Sequence, residues 1–136
     1  MSKPIKQMII SEYQNRFGEL DSAVLVEIRG MDANKNNELR GKLAEKQIRV
    51  TILKNSLAQT ALKGGKLELL SDSMEGSSAL VTGADSVVEV AREMVRCAKE
   101  YVALELRAAV LDGELFEGDS GIKRLSEFPT KDEAQA

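Results

Sequence analysis

Three residues suited to binding an anion stand together at Lys54-Asn55-Ser56, where an alternating apolar stretch gives way to a helical one. Ile48, Val50 and Ile52 alternate with Arg49, Thr51 and Leu53, the period of a strand rich in β-branched residues. Leu57, Ala58, Ala61 and Leu62 then recur at helical spacing, so the strand turns directly into a helix that either Asn55 or Ser56 can cap. A lysine beside a helix N-terminus joins a full cation to free N–H groups and the positive end of the helix dipole, and a phosphate fits such a place. The plainer reading makes Lys54 a solvated surface charge and its neighbours a cap only. A second cationic corner stands at Arg29-Gly30. Gly30 admits a backbone conformation most residues avoid, which sets Arg29 at the end of the apolar stretch 23–29, AVLVEIR, where it can point outward at a phosphate.

Other chemistries find little support. The chain has no histidine and one cysteine, which removes the commonest general base, every triad built on His, and any His/Cys metal constellation. Carboxylate pairs such as Glu114 with Glu117, or Asp85 with Glu89, read as turn and cap residues with no positioned partner. Gly64-Gly65 follows a helix instead of opening one, so it is a helix stop and no dinucleotide fingerprint. Two Tyr and three Phe with no strand pattern leave base stacking on a sheet unsupported; any RNA contact would go through phosphates and shape. No cofactor is implied. Cys97, in a helical apolar pattern, reads as a small buried residue in a reducing compartment, and with no signal segment or membrane-length apolar run the chain reads as cytoplasmic.

The net charge of −3 conceals a polarity. Residues 1–66 carry 12 Lys+Arg against 7 Asp+Glu, whereas residues 67–136 carry 7 against 15. The first half could face a polyanion.

The elements that must hold these corners follow from periodicity. Pro4 suits the first turn of a helix begun by Ser2 or Lys3, with Ile5, Met8, Ile9, Tyr13 and Phe17 at helical spacing and Gly18 as its stop. Lys3, Lys6 and Arg16 fall on or near its other side, as a solvated face or a basic ridge. Stretch 23–29 predicts a central strand, and Asp32 caps a helix over 33–46 with Leu39 and Leu43 as its stripe and Gly41 as a weak point. After the Lys54 corner come a helical turn or packed loop at Leu67, Leu69 and Leu70, and then a third strand over 78–82 preceded by Gly76. The next helix opens on a Ser86–Glu89 capping box. A fourth strand over 103–111 has Leu104, Leu106, Ala108 and Val110 on its dry face. A turn at Asp112-Gly113-Glu114 and a short helix over 120–128 ending at Pro129 complete the chain. The class is α+β: a two-layer sandwich with a four-stranded, mostly antiparallel sheet in a ferredoxin-like split βαβ arrangement, with additional N-terminal and C-terminal helices. A doubly wound parallel sheet is the alternative, but its glycine-rich loop is missing.

Arg29-Gly30, the helix over 36–46 with Leu39-Arg40, and Leu53-Lys54-Asn55-Ser56-Leu57 resemble, in order and spacing, the N-terminal domain of the large-subunit ribosomal protein ten family. These are the stalk-base proteins, whose archaeal and eukaryotic relative is P-zero. Gly76, Asp112-Gly113-Glu114-Leu115 and Leu125-Ser126-Glu127-Phe128-Pro129-Thr130 match the family's course as well, so the resemblance covers almost the whole chain. It implies a non-enzymatic protein that binds large-subunit rRNA at the stalk base, beside a neighbouring ribosomal protein and away from any membrane. It assigns RNA contact to Lys3, Lys6, Arg29, Gly30, Lys54, Asn55 and Ser56. In the family, a long amphipathic helix beyond the Pro-Thr carries the acidic stalk dimers that recruit translation factors. Residues 1–128 therefore read as the rRNA-binding domain and 129–136 as a flexible tail at the start of a missing stalk-binding region. A truncated form of a longer protein is favoured, a shortened stalk-base assembly factor is the alternative, and a small-ligand regulatory domain is the reading of another class.

Overall fold

Strand β1, Ser22–Ile28, is buried from Ala23 onward because, Glu27 apart, its side chains there are apolar on both faces, and that requirement organises the whole molecule. The computed structural model describes residues 3–17, 20, 22–30, 32–74, 78–83, 87–111 and 113–127. β1 lies at the middle of an antiparallel sheet, flanked by β3, Ser78–Gly83, and β4, Leu104–Leu111. β2, Ile48–Ile52, pairs with the outer side of β3, and β5, Glu114–Glu117, with the outer side of β4, giving the order β2-β3-β1-β4-β5.

The first four strands stand in the split βαβ order. The fifth is an addition: Gly113, at φ +83°, turns the chain back and lets Phe116 enter the core, where periodicity alone suggested only a turn.

Helices α2, Ala33–Ala44, α4, Val87–Glu100, and α5, Gly118–Ser126, cover one face over Val24, Val26, Val81, Met94 and Leu125. On the opposite face α1, Lys3–Phe17, α3, Asn55–Leu62, and a 3-10 helix, Lys66–Ser73, close a second core around Tyr13, Leu25, Leu57, Leu70 and Leu80. The α+β sandwich thus carries helices on both sides of its sheet. Asp32 caps α2 as expected, accepting from the Lys35 N–H at 2.8 Å, and Leu39 and Leu43 are its buried stripe.

β4 departs from simple alternation. Its pairing with β1 shifts between Leu25 and Val26, where Ala108 and then Leu106 are the partners, so Arg107 is the extra residue of a bulge. The bulge sends Leu104, Leu106 and Ala109 to one core and Ala108 and Val110 to the other, splitting a set that sequence reading placed on one face. The suggestions concerning Ser2, Gly18, Gly76, Ser86, Asp112, Pro129 and the 129–136 tail lie outside the described residues.

Candidate nucleic-acid interface

β1 and β2 are each antiparallel to the β3 strand between them, so they run parallel and end at the same edge of the molecule. Arg29 follows one strand and Lys54 the other. Glu27 pairs with Ser78 of β3, and the Leu53 N–H donates to the Ser78 carbonyl at 2.9 Å, so the two corners flank a single strand. Two inter-strand spacings separate them, roughly 10 Å of backbone.

Helix α1 joins the same end. Arg16 donates to Thr51 Oγ1 at 2.9 Å, while Tyr13 Oη accepts the Lys54 N–H at 3.3 Å, so the helix runs toward the end of β2 as it is followed backward. At 1.5 Å per residue, Lys6 and Lys3 lie roughly 10 and 15 Å beyond Tyr13 along the helix axis. Residues 3–8 are all exposed, with Ile5 at 50% and Met8 at 71%, so the first turns overhang the body.

The Lys54 corner differs in detail from its sequence reading. Lys54 itself, and neither Asn55 nor Ser56, is the N-cap residue: its extended backbone, φ −91° and ψ 106°, is held by Tyr13, and its carbonyl accepts the first intrahelical bond, from Ala58 at 2.9 Å. Asn55, Ser56 and Leu57 then occupy the first helical positions, whose N–H groups have no intrahelical acceptor. Ser56 is exposed and Asn55 half-buried. Among the described residues, Lys3, Lys6 and Lys54 make no ion pair.

Arg29 is anchored. Its Nη2 donates at 2.6 Å to Oε1 of Glu27, a carboxylate with no exposure, yet its own side chain stays 75% exposed. The other Glu27 oxygen accepts from Arg107, the bulge residue of β4. Gly30, at φ +70° and exposed, makes the turn toward Asp32. A groove of about 600 Å³ opens beside this turn, and its charged lining is Arg29 and Lys35 with the carboxylates of Asp32, Glu38, Glu100 and Glu105.

Sequence reasoning passed over Glu27 and Arg107. The available signal was a lone glutamate inside an otherwise apolar strand predicted to be central, since a buried carboxylate there needs a cation.

Two cations at and just beyond the end of α2 are paired within the chain. Lys42 reaches Glu100 at 2.7 Å and Glu38 at 3.2 Å, and Lys46 reaches Glu93 at 2.6 Å. Hydrogen bonds to Glu100, then Glu38, raise the Lys42 ammonium above its ordinary range, and Lys42 in turn holds Glu38 below its own. Burial pushes up the Tyr101 phenol, which donates to Glu38 at 3.1 Å, and likewise the Cys97 thiol. No described helix is long and apolar enough to cross a membrane, and no described group of three or more His, Cys, Asp or Glu could hold a metal ion.

The family model described as Ribosomal protein L10 matches residues 1–99. The large ribosomal subunit protein uL10 of Syntrophotalea carbinolica is 34% identical over 133 residues, covering 98% of this chain and 77% of that protein. The protein of the same name from a Psychrobacter species is 33% identical, covering 95% and 73%. With such a match over most of its length, the chain belongs to the ribosomal protein L10 family.

Proposed function

We propose that the end of the sheet bearing Arg29 and Lys54 binds large-subunit rRNA at the stalk base, as the RNA-anchoring domain of a stalk protein. The family makes this chain a ribosomal protein of the large subunit rather than an enzyme, placed with the ribosome in the cytoplasm, and displaces the small-ligand reading. Lys3, Lys6, Arg29, Gly30, Lys54, Asn55 and Ser56 form the surface. Residues 1–128 make the binding domain. A neighbouring ribosomal protein shares the RNA.

The single observation that carries this reading is the parallel relation of β1 and β2, which brings two cationic corners to one edge under the overhang of α1. Lys54 has no acidic partner among the described residues, and α3 begins directly behind it. A phosphate there meets a cation and a helix N-terminus at once.

The test is titration of a folded stalk-base rRNA fragment at several salt concentrations, with and without the neighbouring ribosomal protein. Binding should fall steeply with salt, because phosphate contacts release counterions. Lys54→Ala should weaken it and reduce the slope by about one unit. Absence of any salt-sensitive binding, even with the neighbouring protein present, sinks the reading.

A further inference from the structure

We infer that Arg107 is a further RNA-contacting residue and that the buried Glu27 is a positioning residue, holding Arg29 and Arg107 as one fixed pair of guanidinium groups. This rests on the reading that the Arg29–Lys54 edge binds RNA.

Glu27 is fully buried in the central strand, where an apolar side chain would pack at lower cost, because a carboxylate must give up its hydration. Each of its two oxygens holds a different arginine: Oε1 takes Arg29 from the end of its own strand, and Oε2 takes Arg107 from β4. Arg107 stands two residues beyond Glu105, the partner of Glu27, so alternation sets its side chain on the Glu27 side, and the bulge leaves it there without a pairing residue on β1.

A guanidinium has five N–H donors in a rigid fork. Glu27 engages part of each fork. The side chains stay 75% exposed at Arg29 and 29% exposed at Arg107, and Arg107 Nε is buried with no acceptor among the described residues. Neither fork is saturated by the protein, and both are oriented from beneath. Across β3, Arg29 stands close to the level of Lys54, and Arg107 lies farther back along β4, opposite Leu25 and Val26. Two aimed forks and a lysine along one edge suit successive phosphates of a folded RNA strand.

Glu105 sets up the decisive comparison. It faces Glu27 in the β1–β4 register and lies 3.3 Å from the same Arg107 Nη2, but its side chain is 63% exposed. Both glutamates touch one arginine and carry one charge. Bulk electrostatics makes neutralising either of them strengthen binding to a polyanion. A positioning role for Glu27 reverses the sign at that residue alone.

The experiment measures binding of the whole chain to the stalk-base rRNA fragment against salt for Glu27→Gln, Glu105→Gln, Arg107→Gln and Arg107→Lys, at a temperature where circular dichroism shows each variant folded. Glu105→Gln should bind as tightly as the parent or more tightly, whereas Glu27→Gln should bind several-fold more weakly. Arg107→Gln should lose roughly tenfold near 0.1 M salt, with the slope reduced by about one, the mark of one lost phosphate contact. Arg107→Lys should recover the slope but only part of the affinity. A purely structural ion pair leaves the slope unmoved, so an unchanged slope in Arg107→Gln overturns the inference. Tighter binding by Glu27→Gln overturns it too, and if that variant does not fold, the two Arg107 variants decide. Should the parent chain show no salt-sensitive binding, it is the underlying RNA reading that fails; a parent that binds and is weakened by Lys54→Ala while the Glu27 and Arg107 variants behave as controls rejects this inference alone.

Discussion

The backbone N–H of Lys54 donates to the phenolic oxygen of Tyr13 at 3.3 Å, across 41 positions of sequence. Through that bond α1 fixes the residue that begins α3, and the overhanging lysines are set relative to the corner. Tyr13→Phe keeps the packing on Phe17, whose ring centroid lies 6.0 Å away, but removes the acceptor. Chemical denaturation should show a loss of about 1 kcal/mol. RNA affinity should fall modestly with the salt slope intact, since no cation is lost.

Lys46 provides the matching control. Its ammonium is already held by Glu93 at 2.6 Å on the α4 side, so it contributes no free charge to the candidate edge. Lys46→Ala should leave the salt slope of RNA binding within error of the parent, and stability should change by at most about 1 kcal/mol, as for other exposed pairs. A slope reduced as much as in Lys54→Ala would move the interface to the turn between α2 and β2.

Two glycines should respond with opposite sign. A Cβ placed on Gly41 in the middle of α2 meets nothing within 4 Å, so Gly41→Ala should stabilise the protein by about 0.5–1 kcal/mol through helix propensity. At Gly83 the backbone has φ +116° and a Cβ would stand 2.2 Å from the Gln47 carbonyl oxygen. Gly83→Ala should therefore cost roughly 2–4 kcal/mol, combining strain and clash. Paired thermal and denaturant melts of the two variants check both.

Stability should decline at both ends of the pH range, for different reasons. Glu38 is held below its ordinary value of 4.5 by Lys42 and Tyr101, so its contribution is complete above that value and is lost as pH falls through the lowered one. Cys97, raised above 9.0 chiefly by burial, contributes stability present below its unfolded value and lost as pH rises through the folded one. Tyr101 and Lys42, also raised, follow the same alkaline direction from 10.0 and 10.5. Denaturant midpoints measured across pH should trace this dome, and Lys42→Met should flatten its acid limb. Alkylation of Cys97 at pH 8 should be slow in the native state and fast after unfolding.

Much of the local structure was already legible in the residue pattern. Alternation marks Ile48 to Ile52 as a strand, Asp32 announces the start of α2, and the apolar spacing of Val87, Ala91 and Met94 marks the buried side of α4. These follow from the fixed periods of strand and helix, which let a residue's own neighbours decide which side it shows. The apolar character of stretch 23–29 was enough to make it central.

Which charges remain free could be decided only by the packed fold. Counted along the chain, Lys42 and Lys46 are as basic as Lys54, yet α4 packs beside α2 and supplies Glu100 and Glu93, which lie 58 and 47 positions away. Arg107 meets Glu27 across 80 positions because β4 pairs with β1 in the register that sets Glu105 opposite Glu27. The local pattern carries the periodicity of each element, whereas ion pairing depends on which elements become neighbours and in what register. A carboxylate close in space cancels a cation however distant it is in sequence, and long-range packing, more than composition, left Lys54 open at its corner.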